Sequence, residues 1–380
     1  MRDRVAMLLA VGCIALSPVV HAQFANVSLY GTLNLDLEVV NGAQADGSNP
    51  AVARVSSNSS RFGLRGHEYL GRGLVAIFQL ESSVLGDTGG SSLASRETYV
   101  GLQGDWGTLK VGNFLTPYDD IHTIFGNSPT LTTSILSTAA LWAQGSLTKS
   151  EGGFDARLGN SLRYETPPLQ GFSAALQFAT RDASDNPNGS ENGDHLSELR
   201  RASVVSAGAF YNGGPVDVGI AYERNFRVRP TGPADDALSI TGGYDFGAIA
   251  SNVGLRVAGV YERLRYDTPT GSLKRDFYGL ATTLAIGDGT VYAFWGRAGD
   301  GNGSAVDGTT IGALAKGPDT ASQQWELSYS YSLSLRTMLY AGWVKIDNRP
   351  NAAYTFNINP YPVAPGAKPG GIVLGIAHFF

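Results

Sequence analysis

The sequence predicts an all-β chain, a transmembrane antiparallel up-and-down β-barrel of about sixteen strands. Three observations carry that expectation. After residue 22 no stretch offers the ~18 consecutive apolar residues of a membrane-crossing helix. Segment after segment instead alternates apolar and polar residues with period two, the mark of a strand with two unlike faces. The connections alternate as well, tight turns exchanging with long polar insertions, as they do when all odd connections lie at one barrel rim and all even ones at the other.

The first strand, "VSLYGTLNLDLEVV" (27–40), sets Val27, Leu29, Leu33, Leu35, Leu37 and Val39 against Ser28, Thr32, Asn34, Asp36 and Glu38. In the next, "SSRFGLRG" (59–66), Arg61 and Arg65 point to one side, and Phe62 and Leu64 to the other. An arginine at a lipid midplane costs about 2–4 kcal/mol. The arginines are therefore expected to face a wide, wet lumen, and the apolar pair lipid or a neighbouring subunit. "VDVGIAYE" (216–223) and "QWELSYSYSL" (324–333) repeat the pattern. Tight turns fall at "GDWG" (104–107), "PPLQG" (167–171), "NGGP" (212–215) and "IGDG" (286–289). Long insertions fall at 41–53, 85–94, 115–156, 183–200, 229–237, 300–320 and 349–370. Each strand between them is expected near the ~9–11 residues that a tilted crossing needs. The terminal "GGIVLGIAHFF" (370–380) then pairs with the first strand. Closure of that kind removes the sheet edge that lipid could not satisfy.

Composition agrees with a β-rich envelope protein. Glycine is abundant (49), tyrosine (17) and phenylalanine (16) dominate the aromatics, and there are only 3 methionines and 1 cysteine. A net charge of −5 offers no electrostatic footprint for nucleic acid. At the N-terminus Arg2 and Arg4 precede an apolar run, Val5 to Leu16, and then "VVHAQ". This reads as a signal peptide over 1–22, leaving residues 23–380 as a single barrel domain without cysteine. Cleavage removes two arginines and one aspartate, so the mature charge becomes −6.

Catalytic and metal signals are thin. "DGNGSAVDG" (300–308) begins like a calcium loop but carries Ile311 where the twelfth-position glutamate belongs. His67, His122, His195 and His378 stand in no metal-ligand or triad context, and His122 near Ser128 is the faintest hint of a hydrolase. No cofactor or metal is expected. The competing readings are an outer-membrane barrel enzyme, which lacks catalytic residues, and an adhesive β-protein, which lacks repeats of fixed period. Trp106, Tyr329, Tyr331, Phe379 and Phe380 suit interfacial aromatic girdles.

"SLYGTLNLDLE", "SSRFGLRGHEYLGRGLVAIFQLESS", "RETYVGLQGDWGTLKVGNFLTPYDD", "NSLRYETPPLQGFSAALQF" and the terminal "GIAHFF" resemble the general, non-specific porins of Gram-negative bacteria, betaproteobacterial type. The resemblance implies a sixteen-stranded barrel, usually a homotrimer, in which the long third loop, here 115–156, folds into the pore as its constriction. It implies passive diffusion of ions and small hydrophilic solutes through the outer membrane. Arg61, Arg96 and Arg157 sit where the family keeps a basic ladder, with Arg65 and Lys110 on polar faces nearby. "PYDDIHTIFG" resembles the loop signature, which makes Asp119 and Asp120 the expected acids. Ile124 stands where an acid often does, so the eyelet is expected to be positive on balance and weakly anion-preferring. Phe380 resembles the C-terminal aromatic read by the outer-membrane assembly machinery, and membrane lipid and lipopolysaccharide are the remaining expected partners.

Overall fold

In the computed structural model, residues 26–48, 50–125, 134–145, 147–180, 202–229 and 231–380 are described; the expected leader, His195 and Ser128 lie outside them. Among these residues, sixteen strands form one antiparallel sheet. They are β1 (Asn26–Asn41), β2 in two segments (Val52–Ser57 and Arg61–Gly71), β3 (Leu74–Val84) and β4 in two segments (Ser91–Ser92 and Thr98–Gly104). Next come β5 (Gly107–Leu115), β6 (Arg157–Glu165), β7 (Phe172–Ala179), β8 (Ser203–Gly213), β9 (Val216–Phe226) and β10 (Ala234–Ala250). The rest are β11 (Val253–Thr268), β12 (Gly271–Ile286), β13 (Gly289–Ala298), β14 (Ser322–Ser332), β15 (Thr337–Asn348) and β16 (Gly370–Phe379). Each strand pairs with its sequence neighbours, and β16 returns to β1 in a register running from Thr32↔Phe379 to Asn41↔Gly370. The barrel is closed.

The alternation sorts the side chains as expected. On β1, Leu29 (64% exposed), Leu33 and Leu37 face outward, whereas Asn34, Asp36 and Glu38 are buried in the lumen. Leu29 lies opposite Leu64, and Ser28 opposite Arg65, so the Phe62/Leu64 side of β2 continues the outer face of β1. Aromatic pairs gather at the short-turn rim: Trp106 stacks on Tyr164, Phe172 lies 4.6 Å from Tyr211, and Tyr244 lies 4.7 Å from Phe246. These rings suit an interface where one end is apolar and the other wet.

Two details depart from the sequence expectation. The strands run from 8 residues (β7) to 17 (β10), not a uniform 9–11. And at the loop-bearing rim β11 turns into β12 through Pro269 and Thr270 alone, where the alternation called for a long insertion. Both strands have 16 residues, so the sheet itself rises where a loop would otherwise stand.

The lumen is not uniformly wet. Residues of the third loop, including Tyr118, Ile121, Phe125, Leu136, Leu141, Trp142 and Phe154, are buried in one apolar cluster with Val260, Leu264, Phe277, Phe294, Tyr340 and Val344 of the wall. The inner face of β10 to β16 therefore carries much of its apolar surface toward the loop, and the arginines of β2 to β6 occupy the other side.

Candidate pore constriction

Two short helices, Pro117–Asp120 and His122–Phe125, begin the third loop, and 3-10 turns at Thr138–Ala140, Trp142–Gln144 and Lys149–Glu151 continue it. Such a loop carries many backbone polar groups into the barrel, and each needs a partner there. The wall supplies them. Glu262 on β11 accepts from Tyr118 Oη at 2.6 Å and from the Ala143 amide at 3.0 Å. Its charge is met by Arg275 on β12 at 2.7 Å, and both side chains are 0% exposed. Arg275 in turn donates to Tyr354 Oη at 3.3 Å. Burial, then the Glu262 charge, raises the Tyr118 phenol well above its ordinary pKa, so it stays a donor.

Further ties surround this anchor. Ser134 Oγ donates to Asp36 Oδ2 at 3.0 Å, Gln324 to Ser137 O at 2.8 Å, and Tyr266 to Gly152 O at 2.6 Å. Lys149 forms a buried ion pair with Glu223. Arg256 reaches Ile124 O at 2.7 Å while pairing with Asp217 at the same distance. Ile124 itself is buried (8% exposed) in the apolar cluster. A Cβ on Gly219 of β9 would come within 2.6 Å of its Cδ1, so only glycine leaves room there. This corrects the expectation that Ile124 stands in place of an eyelet acid: its side chain packs onto the wall.

The basic residues come together on the opposite side. Arg61 and Arg96 share Glu81, at 3.6 and 2.6 Å, and Glu81 also accepts from Tyr30 Oη at 2.9 Å. Arg157 pairs with Glu97 at 3.2 Å, and Lys110 with Glu165 at 2.6 Å. Arg65 is exposed and lies over the Tyr30 ring at 4.9 Å. Arg163, missing from the expected set, donates to Asp120 of the loop and to Leu115 O at 3.0 Å, and forms an ion pair with Glu165 at 2.8 Å. It is thus the wall arginine tied directly to an expected loop acid. The signal for it was present, since Arg163 and Glu165 share a strand face with Ser161 in "NSLRYE". Glu81, Glu97 and Glu165 were also missed: the acids that pair with Arg61, Arg96, Arg157 and Lys110 stand on the wall, and of the named loop acids Asp120 alone pairs with an arginine, Arg163.

The loop acids are the weaker charges. Burial, then the charge of Asp120, raises Asp119 to a pKa of about 7, against the opposing pull of Arg157. Burial, then Asp119, raises the neighbouring Asp155 well above the carboxylate range. Asp120 is raised by burial, with Arg163 holding it down. Six basic residues (Arg61, Arg65, Arg96, Lys110, Arg157, Arg163) therefore stand with six carboxyl groups, of which Asp119 and Asp155 are raised above ordinary carboxylates by burial.

The other motifs are structural. His122 is sealed under Trp142, stacked at 3.8 Å, and burial lowers its pKa to about 3. Asp300 accepts the Thr320 and Ala321 amides, both at 2.8 Å, and Asp307 pairs with Lys316, so the calcium-like acids hold their own loop. Among the described residues no group of three or more His, Cys, Asp and Glu side chains is disposed to hold a metal.

The family model described as Gram-negative porin matches residues 6–351. Outer membrane porin protein 32 of Delftia acidovorans is 26% identical over 387 residues, covering 98% of this chain and 99% of its own. The solved anion-selective porin from Comamonas acidovorans shares the fold with a TM-score of 0.73 at 22% identity, over 94% of this chain and 100% of its own. The trimer form of OmpT, an outer membrane protein of Vibrio cholerae, does so with a TM-score of 0.63 at 14% identity, over 94% and 99%.

Proposed function

The chain belongs to the Gram-negative porin family, and from that premise we infer a weakly anion-preferring pore that works as a homotrimer. As a porin it is a passive diffusion channel of the bacterial outer membrane, and its work is passage, not catalysis. In the proposed constriction, Arg61, Arg96, Arg157, Arg163, Arg65 and Lys110 line the wall opposite Asp119 and Asp120. The observation that carries the ion preference is the inequality of the two sides: five arginines and a lysine gather on the wall, whereas burial raises the loop acids Asp119 and Asp155 above ordinary carboxylates. Charges beyond ~8–10 Å are screened at physiological salt, so this local surplus outweighs the negative total. A transverse field of that kind, together with pore width, sorts the solutes that pass. Export through cleavage of residues 1–22, contact with lipopolysaccharide and insertion by the assembly machinery complete the proposal.

Reversal potentials of single channels under a KCl gradient test this reading. Wild type is expected to favour chloride slightly, and Arg61→Ala and Arg96→Ala each to shift toward potassium. A wild type that prefers potassium, with both variants unchanged, would overturn it.

The same measurement has an expected pH dependence. As pH falls through about 7, Asp119 takes up its proton and the eyelet loses a negative charge. Chloride preference should therefore grow between pH 8 and pH 6, while Asp119→Asn should show the low-pH preference throughout. A preference that is flat across this interval in wild type would remove Asp119 from the selectivity device.

A further inference from the structure

The outer surface of the barrel is electrostatically lopsided at its loop-bearing rim. The outward positions of β1 to β5 carry no lysine or arginine. From β9 onward the outward positions carry Arg224, Arg263, Arg265, Lys274, Arg297 and Lys345 at that rim. Several are answered in place: Arg263 by Asp276 at 2.8 Å, and Arg265 by Asp267 at 3.4 Å. The β13–β15 end differs. There Arg297, Gln323 and Asp347 stand side by side across three strands. They border a cleft of about 540 Å³ that Asn348, Arg349 and Lys368 complete. Lys368 pairs with Asp347 at 2.8 Å, and Lys345 donates to Lys368 O at 2.6 Å. Arg297 and Arg349, both exposed, have no acidic partner among the described residues. The cleft lining thus carries three cations, Arg297, Arg349 and Lys368, and one carboxylate, Asp347. One pleat toward the membrane centre, Trp295 and Trp325 pack at 6.2 Å, with Trp295 Nε1 donating to Gln323 at 3.1 Å. Leu327 and Trp343 follow opposite each other, and then Tyr329.

From this order we propose that the cleft binds the phosphate of an anionic glycolipid of the outer leaflet, with its acyl chains lying over the tryptophans. The proposal rests on the outer-membrane reading above and gives its lipid partner a site. Charge complementarity selects the occupant: a surplus of two positive charges in the lining suits a phosphorylated headgroup. Indole rings mark headgroup depth, and the aliphatic face below matches hydrocarbon. The outward positions of β1 to β5, by contrast, carry no lysine or arginine.

The test uses the full mature chain, refolded in neutral detergent free of native lipid, with binding read by native mass spectrometry. The probe is a diphosphorylated diglucosamine lipid, set against the same lipid without phosphates and against free pyrophosphate. The expected result is tight binding of the phosphorylated lipid alone, weakened about thirtyfold in Arg297→Gln/Arg349→Gln, since each basic residue near a charged membrane surface contributes comparably. Arg72→Gln, at the short-turn rim, should bind as wild type. Unchanged affinity in the double variant would overturn the proposal, as would equal binding of the dephosphorylated lipid. Pyrophosphate binding as strongly as the lipid would make this a free-phosphate site and sink the lipid assignment. A change of oligomeric mass with lipid affinity intact would make the arc a contact between protomers and likewise overturn it. Conductance separates this from the channel reading: the double variant should still open ohmic pores.

Discussion

Glu262→Ala is expected to release the third loop from the lumen, giving channels of higher and noisier conductance. The carboxylate binds two points of the loop, Tyr118 Oη and the Ala143 amide, and compensates Arg275 where neither charge reaches solvent. Removing one member of a buried ion pair costs about 3–5 kcal/mol, because the surviving charge has lost its partner. Here Arg275 would keep only Tyr354. Tyr118→Phe removes a single charge-assisted hydrogen bond, about 1.5–3 kcal/mol, and should loosen the loop less. Single-channel recordings of both variants check the order. Wild-type conductance and noise in Glu262→Ala would show that apolar packing alone holds the loop.

Deleting Phe380 should lower the amount of protein in the outer membrane to a small fraction of wild type while export across the inner membrane continues. The structure gives this residue a place in the barrel seam, apart from the assembly signal proposed for it. Its amide donates to Gly31 O at 3.1 Å and its carbonyl accepts from Gly31 N at 3.0 Å, so it extends the β1–β16 seam by one residue. Its ring lies across Gly31, where a Cβ would stand 2.3 Å from Cζ. Phe380→Ala keeps the backbone bonds and loses the ring. Membrane levels as low as those of the deletion would assign the effect to the ring; levels near wild type would assign it to the seam. Surface levels unaffected by the deletion itself would count against both roles.

Why some of this was readable in advance, and some not, follows from particular residues. Leu29, Leu33 and Leu37 against Asn34, Asp36 and Glu38 announce both faces of β1, because each side chain's surroundings are set by the parity of its position. Arg61 and Arg65 could be assigned to the lumen on the same ground. Their partners could not. Glu81 meets Arg61 only because β3 runs antiparallel in a register that sets Arg61 opposite Ser83. Arg163 meets Asp120 only because the loop passes over β6.

The basic ladder beyond Arg61 and Arg65 rested on the family resemblance, but the strands, their two solvents, the closing of the barrel and the lumen placement of those two arginines could be read from the chain alone. All of these follow from alternation along a single strand and from the impossibility of leaving backbone groups unpaired in lipid. Contacts that exist only once the chain has folded turn Ile124 away from the eyelet and set Glu262 and Arg275 to hold the loop. Those contacts also pack apolar side chains of the loop against the inner face of β10 to β16 and give the wall its own acids. These outcomes depend on the register between neighbouring strands and on which wall residues the folded loop reaches, as when Tyr118 and Ala143 meet Glu262. Parity along one strand holds no information about either.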